Sequence, residues 1–130
     1  MNGLRGWIIF AWIALPTVMY GGYSLIQLIN RGNVLTPVQV AFFRAGHAHA
    51  GVLTLMSLLY YTFLDQTSLS LPVKHAACAA IVIGILAQSG GFFIHLLPER
   101  AALGTKVTQT GAVILVCAIL VLIYGLIGRA

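Results

Sequence analysis

Four long apolar stretches follow one another along the chain, separated by short segments rich in proline, asparagine, glycine and charged residues. A helix needs roughly 20 apolar residues to cross a bilayer, and each stretch is long enough. The pattern predicts an all-α, integral membrane four-helix bundle, up-down-up-down, with both termini on the same side. We expect one transmembrane domain over residues 1–130, with helices over 7–29, 38–64, 72–97 and 105–127.

Breaker residues mark where each predicted helix begins and ends. Residues 30–33 (NRGN) follow the first apolar stretch, and Pro37 stands in the first turn of the second helix, where proline is favoured. Pro72 opens the third helix and Pro98 ends it. The first stretch is too long for the apolar part of a secretory signal, so we interpret it as a transmembrane helix.

Composition agrees with a membrane protein and excludes other classes. Hydrophobic residues make up 60% of the chain and charged residues 7%, whereas soluble domains carry about 25% charged residues. The net charge of +5 is scattered along the chain, so we expect lysines and arginines at helix ends near lipid headgroups and no nucleic-acid partner. Cys78 and Cys117 lie in apolar runs and predict small buried side chains.

Ionisable and small residues are concentrated at the beginning of the second predicted helix. The helical period places Arg44, His47, Gly51 and Thr54 on one face. His49 is two residues from His47, so it points about 200° away, and a regular helix cannot close both imidazoles on one small metal ion. We expect His47 to face the bundle and His49 to face another helix, a partner chain or a second site.

The third predicted helix carries a matching face of Gly84, Gln88, Gly91 and His95. Its glycines leave room either for a bulky ligand or for a closely packed helix. Because His47 begins one helix and His95 ends the next, antiparallel neighbours are expected to bring both to the same end of the bundle. Other polar residues expected at that end are Tyr23, Gln27, Arg44, Glu99 and Gln109.

Two histidines on different helices can hold a haem iron from both sides. We therefore predict haem b between His47 and His95, with Gln88 and Gly91 beside the macrocycle and Arg44 or Arg100 near its propionates. Copper or another transition metal is the alternative, because imidazole suits these ions. In that case the metal ligands are His47 and His95, with His49 and Glu99 as further candidates.

Ordinary helix packing is a competing explanation of the same pattern. Faces of small residues are common where helices meet in lipid, and histidines near helix ends can bond to headgroups or backbone. His75 begins the third helix beside Lys74, at the end opposite His47 and His95, and we interpret it as an interfacial residue. At the end with His47 and His95, histidines, glycines and amides lie on the same helix faces, and this arrangement favours a binding site there.

The Arg44-x-x-His47 pattern resembles the start of the second helix in subunit I of haem–copper oxidases of the nitric oxide reductase type. The longer run GHAHAGVL, residues 46–53, resembles small membrane proteins related to that subunit. The resemblance covers a short part of the chain and implies a haem-ligand role for His47 alone. It also implies the bacterial inner (plasma) membrane as the location. A complete subunit I has many more helices and separate copper-site histidines, so we do not expect oxygen reduction by this chain alone.

Three functions of different classes fit the pattern. The first is a small membrane redox subunit that holds a haem or metal ion and passes electrons. The second is a non-catalytic accessory subunit of a larger membrane oxidase or copper membrane monooxygenase. The third is a small transporter or channel that uses the polar faces as a path. We expect the chain to contact the bilayer and either other membrane subunits or further copies of itself. We also expect it to be a subunit or electron-transfer protein more than a stand-alone enzyme.

Overall fold

The computed structural model describes residues 3–32 and 34–128. This part of the chain forms four α-helices and one 3₁₀ turn and contains no strand: α1 (Arg5–Asn30), α2 (Pro37–Asp65), α3 (Leu71–Ile94), the turn Pro98–Arg100 and α4 (Ala101–Ile127). The predicted all-α class and the number of helices are therefore confirmed. The boundaries differ most around loop 3, where α3 ends just before His95 and α4 begins at Ala101, earlier than predicted.

A capping box fixes the beginning of α2. The backbone N–H of Gln39 donates to Thr36 Oγ1 at 3.2 Å, and the backbone N–H of Thr36 donates to Gln39 Oε1 at 2.9 Å. Pro37 occupies the first turn, where its missing N–H costs nothing. Gln39 Nε2 also donates to the carbonyl of Leu96 at 2.9 Å, which ties the beginning of α2 to the chain just beyond α3.

The most polar helix, α2, lies in the middle and packs against α1, α3 and α4. Helix α2 runs antiparallel to both α1 and α3. Gly46, early in α2, packs against Phe92 and Phe93, late in α3, and Trp7, early in α1, lies near Tyr61, late in α2. The beginning of α2, which carries its two histidines, therefore lies beside the end of α3 and the end of α1.

Glycines allow α3 and α4 to approach closely. A Cβ atom at Gly84 would lie 2.7 Å from the side chain of Leu115, and one at Gly91 would lie 2.6 Å from the backbone nitrogen of Thr108. On the opposing helix, a Cβ at Gly111 would overlap the backbone of Gln88. Small residues facing each other in this way give close backbone packing, which is how helices associate in an apolar medium.

The apolar core fills the half of the bundle nearest the α2–α3 loop. Tyr60, Cys78 and Ile81 are almost completely buried there, and the Tyr60 hydroxyl donates to the carbonyl of Ala118 at 2.8 Å. Leu4, which precedes α1, is also fully buried in this cluster. The half that contains His47 and His95 packs through glycines and phenylalanine rings, with polar side chains among them.

A buried lysine closes the end of α2. Lys74 is 8% exposed, and its Nζ donates to the carbonyls of Asp65 and Thr67, each at 2.8 Å. The last carbonyls of a helix have no intrahelical partner, and a cation there also faces the negative end of the helix dipole. Lys74 therefore fixes the α2–α3 loop from the beginning of α3.

Replacing Lys74 with alanine is expected to lower the free energy of unfolding by about 2 kcal/mol, because two carbonyls lose a charged donor. Lys106→Ala is the matched control, since Lys106 is exposed on α4 and such changes usually stay within about 0.5 kcal/mol. Denaturant unfolding in mild detergent measures both. Equal stability of the two variants would show that water replaces Lys74 without cost.

Three of the described helical segments are long and apolar enough to cross a membrane: Arg5–Asn30, Leu71–Ile94 and Pro98–Ile127. The sequence pattern predicted four such segments. Helix α2 is long enough but less apolar, because its beginning carries Gln39, Arg44, His47 and His49 among the apolar residues. The polar residues Thr54 and Ser57 of α2 are buried inside the bundle, whereas Arg44 is exposed on its surface.

Candidate functional site

His47 lies in a cleft between α1 and α2. The α1–α2 cleft has a volume of about 440 Å³ and is lined by Trp12, Leu15, Pro16, Val18, Met19, His47, Gly51 and Leu55. Met19 is 73% exposed and Leu55 54% exposed, so the cleft is accessible from the side of the bundle. Its walls are apolar apart from the imidazole. The imidazole is thus the main hydrogen-bonding group of the cleft.

Two consecutive glycines of α1 make room for the His47 ring. A Cβ atom at Gly22 would lie 2.9 Å from His47 Nε2, and one at Gly21 would lie 3.4 Å from Nδ1. His47 is half-buried, and its ring makes no hydrogen bond to any described residue. The ring is therefore held by shape against the α1 backbone, and neither of its nitrogens has a hydrogen-bond partner among the described residues.

His49 points to the opposite side of α2, as the helical period predicts. Its Nδ1 lies 2.8 Å from the carbonyl oxygen of Ala45, and its ring lies 4.7 Å from that of Phe92 on α3. A carbonyl only accepts hydrogen bonds, so neutral His49 carries its proton on Nδ1 and its lone pair on Nε2. The two histidines of α2 thus face different surroundings and do not form a pair.

His95 follows the last residue of α3, is partly buried and contacts three elements. Its Nδ1 bonds to the carbonyl of Gly91 at 2.8 Å, and its Nε2 lies 3.1 Å from Thr105 Oγ1 on α4. Its ring stacks on Phe42 with centroids 4.4 Å apart. A Cβ at Gly104 would lie 2.5 Å from His95 Nδ1. His95 therefore joins α3, α4 and the first part of α2.

The structure does not bring His47 and His95 face to face. His47 lies against α1, whereas His95 lies against α4 and is level with Phe42, more than a turn from His47 along α2. Gly46 packs directly on α3, where a Cβ would lie 3.1 Å from the Ser89 carbonyl oxygen. A haem clamped between His47 and His95 remains a prediction, and this arrangement does not favour it.

The glycine face of α3 packs against a helix. Gly91 is covered by Thr108 and Gly104, and the Gln88 carbonyl accepts a hydrogen bond from Thr108 Oγ1 at 3.4 Å. Of the two uses that the sequence left open for this face, close helix packing is the one observed. Gln88 and Gly91 accordingly lie in the α3–α4 contact.

The remaining predicted residues lie on the outside of the bundle. Arg44 is exposed on α2, and Glu99 and Arg100 are exposed in the turn before α4. Within residues 3–32 and 34–128, no three His, Cys, Asp or Glu side chains come close enough together to hold a metal ion. A bare-metal site built from this chain alone therefore has no support among these residues.

Sequence reasoning missed two features of α1. The indole Nε1 of Trp7 donates to His75 Nδ1 at 2.9 Å, which joins α1 to the beginning of α3. Trp12 and Met19 line the cleft beside His47, where no role was predicted for them. The adjacent glycines 21 and 22 are the sequence signal that could have identified α1 as the neighbour of His47.

Comparison with known proteins does not indicate a function for this chain. No known protein family, curated protein or solved structure matches this chain.

Proposed function

We propose that this chain is a small integral membrane redox subunit in which His47 holds a b-type haem. The proposed topology is an up-down-up-down bundle with both termini on the same side of the bilayer. Its support is the antiparallel packing of successive helices together with three helices apolar enough to cross a membrane. In this topology the central helix α2 crosses as well, with Gly46, Thr54 and Ser57 buried against the other helices.

One observation carries the proposal: the unbonded imidazole of His47 in the apolar α1–α2 cleft. His47 is four residues from Gly51, the middle of α2, or about 6 Å along the axis. With a hydrocarbon core about 30 Å thick centred on the helices, the ring lies deep in the membrane. Ionisable groups at such depth are costly and generally serve a binding or transport function.

A haem suits this cleft better than a bare metal ion does. A zinc or copper ion takes three or four protein ligands, which the described residues do not bring together. Haem iron already has four porphyrin nitrogens and needs only one or two axial ligands from the protein. A lone imidazole among apolar walls is therefore compatible with haem, and copper or another transition metal becomes the weaker alternative.

Met19 is the other side chain of the cleft that can bind haem iron, through its thioether sulfur. The apolar walls, among them Trp12 and Leu55, would contact the macrocycle and exclude water from it. A bound haem would supply one-electron transfer within the bilayer. The part of this chain is then to bind the ring, orient it and set the polarity around it.

The test is the visible spectrum of purified protein, dithionite-reduced minus oxidised. We expect the α-band of a b-type haem in the wild-type protein and its loss in His47→Ala. The band should persist in His95→Ala and His75→Ala, whose rings are bonded elsewhere. A featureless wild-type spectrum from a folded preparation grown with ample haem would refute the proposal. Loss of the band in folded His95→Ala would restore the His47–His95 pair.

A second candidate is the accessory subunit of a larger membrane oxidase or copper membrane monooxygenase. It is favoured by the outer surface of α1, where Tyr20 is 67% exposed and Tyr23 55% exposed. Tyr20 lies near the middle of α1, a depth at which tyrosine is unusual on a lipid-facing surface. Retention of larger membrane proteins during affinity purification, lost in Tyr20→Leu, would support this candidate.

A further inference from the structure

The outward face of α4 carries a continuous stripe of exposed side chains. It consists of Gln109, Val113, Val116, Leu120 and Ile123, all exposed. These positions are three or four residues apart, so they form one straight face along the helix. The opposite face of α4, with Gly111 and Leu115, is buried against α3. The α4 stripe can therefore meet another helix without disturbing the bundle.

Gln109 is the polar exception in the α4 stripe. It lies five residues from Ile114, the middle of α4, or about 7 Å along the axis, and thus inside a hydrocarbon core about 30 Å thick. Its amide makes no hydrogen bond within the described part of the chain, whereas nearby Thr110 donates to the Lys106 carbonyl at 2.9 Å. An amide facing lipid chains has no partner there, which is unfavourable.

We infer that the α4 stripe is a dimer interface between two copies of this chain, with Gln109 bonded to its counterpart. In a symmetric pair of copies that share one orientation, the two-fold axis runs along the membrane normal. Residues of two α4 helices then meet at equal depth, each near its own equivalent. A glutamine amide both donates and accepts, so two of them can form reciprocal hydrogen bonds.

Features of the stripe support a second copy as the partner. Its apolar positions follow the spacing with which helices pair in coiled coils, and one polar residue in such a seam fixes the register. Lipid chains would cover Val113 and Leu120 equally well but leave Gln109 unbonded. The exposed Gln27 of α1 differs, because its Nε2 already donates to the Tyr23 hydroxyl at 2.7 Å. Gln27 is therefore a matched control.

The interface rests on the proposed membrane topology and not on the haem. Flotation of the protein with liposomes and its resistance to alkaline extraction test that topology separately. Energy transfer between labelled copies in liposomes then measures dimerisation over a range of protein-to-lipid ratios. We expect a dimer in the wild-type protein, a dimerisation constant weakened about tenfold in Gln109→Leu, and no change in Gln27→Leu.

Cross-linking in native membranes tests the geometry independently. In a Cys117→Ser background, the exposed Leu120→Cys should form a disulfide-linked dimer on oxidation, because the two copies meet at that position. Leu86→Cys on the exposed surface of α3 should not, although Leu86 is 66% exposed and Leu120 56%. Cys78 is fully buried and remains in both variants. Equal cross-linking of both variants would overturn the interface, and a monomeric wild-type protein would assign Gln109 to a helix of another protein.

Discussion

Gly91→Ala is expected to destabilise the protein by about 3 kcal/mol, at the upper end of the cost of overpacking. A Cβ at Gly91 would lie 2.6 Å from the Thr108 backbone nitrogen and 2.7 Å from the Gly104 carbonyl oxygen. Both are backbone atoms, so a rotamer change cannot relieve the overlap and α4 must move away from α3. The His95 bond to Thr105, which joins the end of α3 to α4, depends on that approach and should weaken as well.

Gly90→Ala is the control for this effect, because a Cβ at Gly90 would have no heavy atom within 4 Å. Alanine is favoured over glycine in a helix by up to about 1 kcal/mol, so this variant should be as stable as the wild type or slightly more so. Unfolding curves in detergent compare the two. If Gly91→Ala were as stable as Gly90→Ala, the α3–α4 contact would be looser than the structure describes.

Gly22→Ala is expected to lower haem affinity about tenfold or more while leaving the imidazole of His47 in the protein. The new methyl group would lie 2.9 Å from Nε2, the nitrogen that faces α1, so the ring must turn or α1 must withdraw. Changes that reorient a metal-ligating histidine without removing it typically cost 10–100-fold in metal affinity. Titration of apo-protein with haem, followed in the visible spectrum, gives the affinity.

Gly6→Ala is the matched control on α1, where an added Cβ would contact nothing within 4 Å. It should bind haem like the wild type. Thermal unfolding of both variants separates a local effect at His47 from loss of the fold. Normal haem affinity in a stably folded Gly22→Ala variant would mean that the position of His47 against α1 does not matter for binding.

The helices and the orientation of the α2 histidines followed from the sequence for physical reasons. Long apolar stretches ended by proline, asparagine and charge leave few alternatives to helices, and Pro37 begins α2 within one residue of the predicted start. The turn of 100° per residue also separated His47 from His49, which the structure places on opposite flanks of α2. Both inferences depend on local geometry, which the sequence determines directly.

The neighbours of each helix face were harder to predict. The same glycine spacing on α3 accommodates a ligand or a helix, and only the matching glycines at 104 and 111 on α4 decide between them. Likewise, His47 lies in the same half of the bundle as His95, but its ring packs against Gly21 and Gly22 of α1 and does not face His95. Which helix packs on a given face depends on complementary surfaces that are far apart in sequence. The residue pattern of one helix therefore does not identify its neighbours.

The polarity of α2 bears on how the protein is assembled. This helix is less apolar by composition than Arg5–Asn30, Leu71–Ile94 and Pro98–Ile127. In the proposed topology we therefore expect it to be inserted together with α1 or α3, as a hairpin. Truncation after Asp65 or within α3 would then change whether α2 stays in the membrane during biosynthesis. Correct insertion would depend on the order in which the helices are synthesised.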